Sequence, residues 1–207
     1  MMQKNGWTLA AGVLGLLAML ALPGRAGAAA VVGQPAPPFT LTDTSGKQQS
    51  LADFQGKFVV LEWINHECPF VKKHYGSGNM QKLQKKYLDQ GVVWLSVSSS
   101  APGKQGNYPP AKWNELTAAA KASPTAVLLD PDGTVGRAYG AKTTPHMYVI
   151  DRQGTLIYAG GIDDKPSTDP DDIPGAKSYV DLALTEAIAG QPIAVASSTP
   201  YGCSVKY

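Results

Sequence analysis

"FVVLEWINHECPFVKKHY", residues 58–75, decides how this chain is read. Phe58 to Ile64 is nearly continuous in apolar, β-branched and aromatic side chains, the pattern of a strand covered on both faces, with Glu62 as its one exception. A cysteine and a proline follow, then basic helix formers. Pro69 has a fixed φ and no backbone N–H, so it suits the first position of a helix and places Cys68 at the cap. There the unpaired N–H groups and the positive end of the helix dipole favour a thiolate over a thiol. Lys72 and Lys73 would add to that effect and Glu67 would oppose it. The stretch therefore reads as a buried strand that delivers a reactive sulfur to a helix start.

The same alternation of strand and helix continues on both sides. Before it, "FTLTDTSGKQQS" alternates apolar and polar residues around Ser45-Gly46 and predicts a hairpin. After it, a single helix is expected from the cysteine to about Gln90, burying Met80, Leu83 and Tyr87. Lys72, Lys73, Lys82, Lys85 and Lys86 are expected on its solvated face, where His74 also reads as a surface residue. "GVVWLSVS" (91–98) and "TAVLLD" (125–130) read as further strands, with a helix from Pro110 between them. A short helical turn ends on Gly140, "TTPHMYVID" (143–151) and "TLIYAGG" (155–161) form a terminal hairpin, and a last helix spans about 176–189. The acidic loop holding Asp163, Asp164, Asp169, Asp171 and Asp172 lacks the glycine and closing glutamate of a calcium loop and is expected to be solvated. The tail beyond 190 reads as irregular. This order predicts an α/β domain with a central mixed sheet, helices on both faces and an amino-terminal hairpin.

Residues 1–30 obey different rules. Lys4 precedes an apolar run of about 16 residues, Trp7 to Leu22, which is short of the ~20 that span a bilayer. Pro23, Gly24 and a series of small residues to Ala30 follow, the pattern of an export signal cleaved near residues 28–30; an uncleaved amino-terminal anchor is the alternative. The expected organisation is a signal peptide (1–30), one domain (31–190) and a tail carrying Cys203 (191–207). The exported part would be periplasmic or extracellular. Of the 18 Lys and Arg residues only Lys4 and Arg25 lie in the signal, which leaves 16 against 16 Asp and Glu. That balance excludes a nucleic-acid footprint.

Three features carry a family resemblance: the strand ending in "NHECPF", the loop "TTPHMYVID", and the run "YAGGIDD" with the late "GCSVK". In this order they resemble the thioredoxin superfamily, in its redoxin or peroxiredoxin-like (AhpC/TSA-related) branch, over essentially all of residues 31–207. The resemblance implies a thioredoxin-like fold and a thiol oxidoreductase without cofactor or metal. It implies Cys68 as nucleophile, a cis Thr144-Pro145 bond opposite it, and backbone groups there for an extended substrate. The chain departs from the pattern in two places. Val71 stands where disulfide-exchanging members carry the second cysteine of C-x-x-C, and Leu61 and Asn65 stand where peroxiredoxins carry Pro and Thr or Ser.

Cys203 supplies the missing second sulfur. It is expected to resolve a sulfenic acid or mixed disulfide formed at Cys68. The alternative is a permanent Cys68–Cys203 bridge closing a loop of about 135 residues, a contribution of ~5 kcal/mol in the chain-entropy model. His66 and His146 flank the two loops and are candidates for tuning the thiolate. A non-catalytic module that delivers copper or zinc from Cys68 and histidines is the competing function. The expected partners are a peroxide or a protein disulfide as substrate and a thiol electron donor, with a membrane thiol-transfer protein as a candidate donor.

Overall fold

The computed structural model describes residues 1–2 and 29–207. Of the expected signal, residues 3–28 lie outside the described residues. Among the described residues, no helix is long and apolar enough to cross a membrane.

The amino-terminal hairpin pairs β1 (Thr40–Asp43) with β2 (Gln48–Ser50) around the Ser45-Gly46 turn, as the alternation predicts. Asp43 Oδ1 accepts from the Ser45 and Lys47 N–H groups and closes that turn. The strand of the opening stretch is β3 (Val59–Trp63), fully buried on both faces. The basic segment after it is not one helix. It forms α1 (Pro69–Gly76) and α2 (Asn79–Leu88), broken where Gly78 adopts φ 76°, a left-handed conformation that a side chain would strain. The chain continues through β4 (Val93–Ser98), α3 (Pro110–Ala119), β5 (Ala126–Leu129) and α4 (Thr134–Tyr139). Pro145 then divides the expected 143–151 strand into β6 (Thr143–Thr144) and β7 (His146–Ile150), and β8 (Leu156–Gly160) pairs back on β7.

Seven strands form one mixed sheet in the order β2-β1-β5-β4-β3-β7-β8. β3, β4 and β5 run parallel, while β1, β7 and β8 are antiparallel to their neighbours. Alternation along β3 divides the core. Val60 and Ile64 face the layer built with α1, α2, Trp113 of α3 and the last helix, whereas Val59, Leu61 and Trp63 face the layer that includes Tyr139 of α4 and Phe39. Helices therefore cover both faces, the architecture the sequence pattern predicts. The acidic loop contains a 3₁₀ turn at Pro170–Gly175, and the last helix, α5 (Tyr179–Ile188), begins on Ser178, whose hydroxyl accepts from the Asp181 N–H.

The tail differs from its expected irregular state. Ser197 bridges to Ala159 alongside β8, and Cys203–Ser204 form a ninth strand, β9, antiparallel to β6. Beyond it, Val205 N–H donates to Lys142 O (3.0 Å), Lys206 O accepts from Ala101 N–H (2.8 Å), and the Tyr207 hydroxyl donates to Ala141 O (2.8 Å). The tail is thus held on both sides of its cysteine.

Candidate functional site: a paired-thiol centre

Asn65 shapes the approach to the first thiol. Its Oδ1 accepts from Glu67 N–H (3.0 Å) and its backbone oxygen from Cys68 N–H (3.0 Å), an Asx-type turn that sets Cys68 in extended conformation (φ −67°, ψ 126°) as the N-cap of α1. Pro69 occupies the first helical turn, as the sequence predicts. Cys68 has no solvent exposure. Its thiol donates to Thr144 O at 3.0 Å, across 76 residues of sequence, and the Thr144–Pro145 peptide that offers this oxygen is cis, as the resemblance implies.

β9 brings the second thiol to the same place. Cys203 is the register partner of Thr144, the residue whose carbonyl accepts the Cys68 thiol, and it packs against the buried cluster that includes Cys68. Gly202 makes the approach possible, because a Cβ there would lie 2.1 Å from Thr144 O. Both cysteines are free thiols, Cys68 buried and Cys203 part-exposed.

The two sulfurs are electrostatically unlike. Burial pushes the Cys68 thiol up, but donation from the Cys203 thiol, the Val71 N–H, Thr144 and the Cys203 N–H outweighs it, and the net shift is downward. The Val71 N–H belongs to the open first turn of α1, the helix-end contribution the sequence anticipates. Thr144 Oγ1 is buried with no hydrogen-bond partner of its own, so a thiolate at Cys68 gives it one. Cys203 moves the other way. Burial, its hydrogen bond to Cys68 and the Cys68 charge push it up to about 11, against a smaller opposing effect of Lys206. When the reduced pair loses one proton, Cys68 is therefore the thiol that gives it up and Cys203 the one that keeps it.

The other residues singled out in the sequence fall in different places. His66 stacks between Tyr75 (5.6 Å between ring centres) and Trp113 (5.3 Å), and burial pulls it down to about 4. Glu67 is exposed and accepts from Gln105 Nε2 (2.8 Å), and Lys72 is exposed on α1. His146 is buried on the opposite side of the sheet. Its Nδ1 meets Lys142 N–H (3.2 Å) and the Tyr148 hydroxyl (3.1 Å), and burial followed by the nearby Lys142 charge pulls it down to about 4. The two loops thus bring together Cys68, Thr144, Pro145 and Cys203, while the histidines are neutral and turned elsewhere. Among the described residues no group of three or more His, Cys, Asp or Glu side chains is arranged to hold a metal ion.

The burial and partners of four polar groups, Glu62, Lys73, His74 and Asp163, escaped the sequence reading. Glu62 is fully enclosed on the Cys68 face of β3. Its carboxyl accepts from the Tyr75 hydroxyl (2.8 Å), Trp94 Nε1 (2.9 Å) and the Ser96 hydroxyl (3.4 Å), and burial pushes it up to about 7 despite those donors. The signal was present as an acid interrupting a strand that is otherwise apolar. Lys73 and His74, expected in solvent, are buried because the acidic loop and the tail fold over α1. Lys73 Nζ donates to Lys165 O (2.9 Å). His74 Nδ1 meets Asn79 Nδ2 (2.9 Å), and its Nε2 lies 3.2 Å from the Tyr201 hydroxyl. Tyr201 in turn donates to Asp163, a buried member of the loop expected to be solvated. Since Tyr201 spends its proton on Asp163, the neutral His74 ring carries its hydrogen on Nε2. This cluster fixes the tail two residues before Cys203.

Comparison with known proteins shows the family and the fold. The AhpC/TSA family profile matches residues 32–159. The chain belongs to the AhpC/TSA family. It is 30% identical over 125 residues to the thioredoxin-like protein YneN of Bacillus subtilis, covering 60% of this chain and 68% of that one. It is 29% identical over 127 residues to the thiol-disulfide oxidoreductase ResA of Bacillus thuringiensis, covering 61% and 67%. Among solved structures, an uncharacterised conserved protein of Geobacillus kaustophilus superposes with a TM-score of 0.71 at 25% identity, over 86% of this chain and 92% of the other. The fold is thioredoxin-like. The family match ends at residue 159, so it covers Cys68 and the cis-proline loop but stops short of the strand that carries Cys203.

Proposed function

We propose that this thiol oxidoreductase acts through a reversible disulfide between Cys68 and Cys203, exchanging electrons with the thiols and disulfides of partner molecules. The observation that carries the reading is the registration of Cys203 opposite Thr144, the residue whose carbonyl accepts the Cys68 thiol at 3.0 Å, so that both cysteines meet at one loop. The pair replaces the C-x-x-C arrangement that Val71 precludes, drawing its second sulfur from a distant strand rather than from the next helical turn. Forming the bond removes two electrons and two protons from the pair, and a partner disulfide receives both. A thiolate is the species that attacks or departs in each exchange, and the hydrogen bonds at Cys68 stabilise one.

Thiols and disulfides are favoured over peroxides as substrates. Leu61 faces the opposite core layer, and Asn65 spends its amide on the Glu67 N–H and on Gln105, so neither position offers a free polar group beside the sulfur. The relatives named as thiol-disulfide oxidoreductases support this choice. Export is part of the proposal and rests on the composition of residues 1–30; the amino-terminal sequence of the protein recovered from an exporting host tests it.

The pairing is tested by equilibrating the protein in glutathione buffers of graded potential and mapping its disulfides by mass spectrometry. A reversible 68–203 link that appears and disappears across the series is the expected result. A protein that keeps both thiols free in every buffer, or a bridge that no buffer opens, would overturn the reading.

A further inference from the structure

On the footing that Cys68 and Cys203 form a reversible disulfide, we propose that external thiols enter the couple at Cys203, with buried Cys68 as the leaving sulfur, so that the protein donates its disulfide to dithiol partners. Thiol–disulfide exchange is an in-line displacement, so the attacked sulfur must be reachable from the side away from its partner. Cys68 is not reachable. It is fully buried, with Thr144 O 3.0 Å away and the first turn of α1 around it, and β9 lies over it as a cover. Cys203 sits on that cover, is part-exposed, and is followed by the exposed Ser204. Among the described residues β9 pairs with β6 alone, and no third strand of those residues screens it.

Departure from the bond is as unequal as access to it. The sulfur left behind at Cys68 sits at the N-cap of α1, beside the open N–H groups of its first turn and the otherwise unpartnered Thr144 hydroxyl, groups that favour its thiolate. A better stabilised thiolate leaves faster and makes the reduced form of the couple more favourable, which strengthens the disulfide as an oxidant.

One thiolate of the partner attacks Cys203 Sγ, the Cys203–Cys68 bond breaks, and its electron pair goes to Cys68 as thiolate. The partner's second thiol then attacks its own sulfur in the mixed disulfide. The bond to Cys203 breaks, and Cys203 takes up the proton that this thiol gives up. The partner is oxidised by two electrons to a disulfide and the couple is reduced by two; a second, more oxidising disulfide restores it by the reverse exchange.

The test uses the oxidised full-length protein and glutathione as the probe thiol. Samples are quenched at about pH 2, where thiolates are protonated and exchange stops, then cut with pepsin and mapped by mass spectrometry. We expect glutathione on the Cys203 peptide in about tenfold or greater excess over the Cys68 peptide, as unequal access and leaving ability require. Adducts on Cys68 with Cys203 free would overturn the order of attack while leaving the couple itself intact. Oxidised protein that shows glutathione separately on each cysteine and never a 68–203 link would instead remove the couple, and this proposal with it. Because a mixed disulfide at Cys203 can be short-lived, a rate measurement stands beside the map. Lys206 is the cation whose charge reaches Cys203. Lys206→Glu should slow reduction by anionic glutathione several-fold and leave cationic cysteamine unslowed. Equal effects on both thiols, or none on either, would place the attack elsewhere.

Discussion

Gly202→Ala tests whether close approach of the tail strand creates the thiol pair. The new Cβ would lie 2.1 Å from Thr144 O, 2.7 Å from Thr144 C and 3.3 Å from Pro145 N. The first distance is more than an ångström inside ordinary contact, and all three atoms are backbone, in the same loop that accepts the Cys68 thiol. Gly202 also holds φ 137°, where a side chain is disfavoured by about 1–3 kcal/mol. Relief comes most cheaply by lifting β9, since β6 and β9 form a separate two-stranded sheet and the seven-stranded core does not depend on them. Lifting it also gives up inter-strand hydrogen bonds at about 1 kcal/mol each. At about 1.4 kcal/mol per tenfold, a total of roughly 2–4 kcal/mol lowers the effective concentration of Cys203 at Cys68 by about 30- to 1,000-fold. The assay is the equilibrium between the protein disulfide and glutathione, read as the fraction of doubly alkylated chain. An effective concentration within a factor of about two of the parent would refute the argument, because less than half a kcal/mol would then separate the docked from the lifted strand.

Other outcomes follow from the same contacts. Cys203→Ala removes the leading donor to the Cys68 sulfur, so the thiolate absorbance of Cys68 should titrate at higher pH than in the reduced parent; an unchanged midpoint would assign the stabilisation to backbone groups alone. Tyr201→Phe keeps the ring against Phe70 but deletes the hydroxyl that joins His74 to Asp163, which should loosen the tail by about 1–3 kcal/mol and speed amide exchange at 203–207. Exchange as slow as in the parent would mean that Tyr201 does not hold the tail. Glu62 has a folded-state value near 7, above its unfolded one, so its contribution is fully present below about pH 4.5 and is lost as pH rises through 7. The buried histidines, displaced to about 4, change stability in the opposite sense over pH 4–6.5, so the informative quantity is the difference between the parent and Glu62→Gln. That difference should shift by about 3 kcal/mol toward the variant between pH 4.5 and 8 in denaturant titrations, and a constant difference would show that Glu62 does not titrate there.

Much of this molecule was legible in the chain because it depends on local pattern. The continuous apolar run at 58–64 specifies a strand covered on both faces, Ser45-Gly46 specifies a hairpin turn, and Cys68-Pro69 specifies a sulfur at a helix cap. Those features need only backbone sterics and side-chain periodicity, which neighbouring residues fix among themselves. The break at Gly78 was missed because a lone glycine inside a basic run is compatible with a helix until packing selects the left-handed conformation.

What lay beyond reach was decided by contacts between residues far apart in sequence. Lys73, His74 and Asp163 look like surface residues by type, and they are buried only because the acidic loop and the tail close over α1 and supply partners for each of them. Pairing of Cys68 with Cys203 likewise depends on a strand of two residues meeting a cis-proline loop, and nothing in the composition of 191–207 announces a strand. The sequence by itself determined which sulfur would sit at the mouth of a helix. Only the tertiary structure could place a second sulfur against it and divide one charge and one proton between them, because that division depends on burial and on donors drawn from three separate segments of the chain.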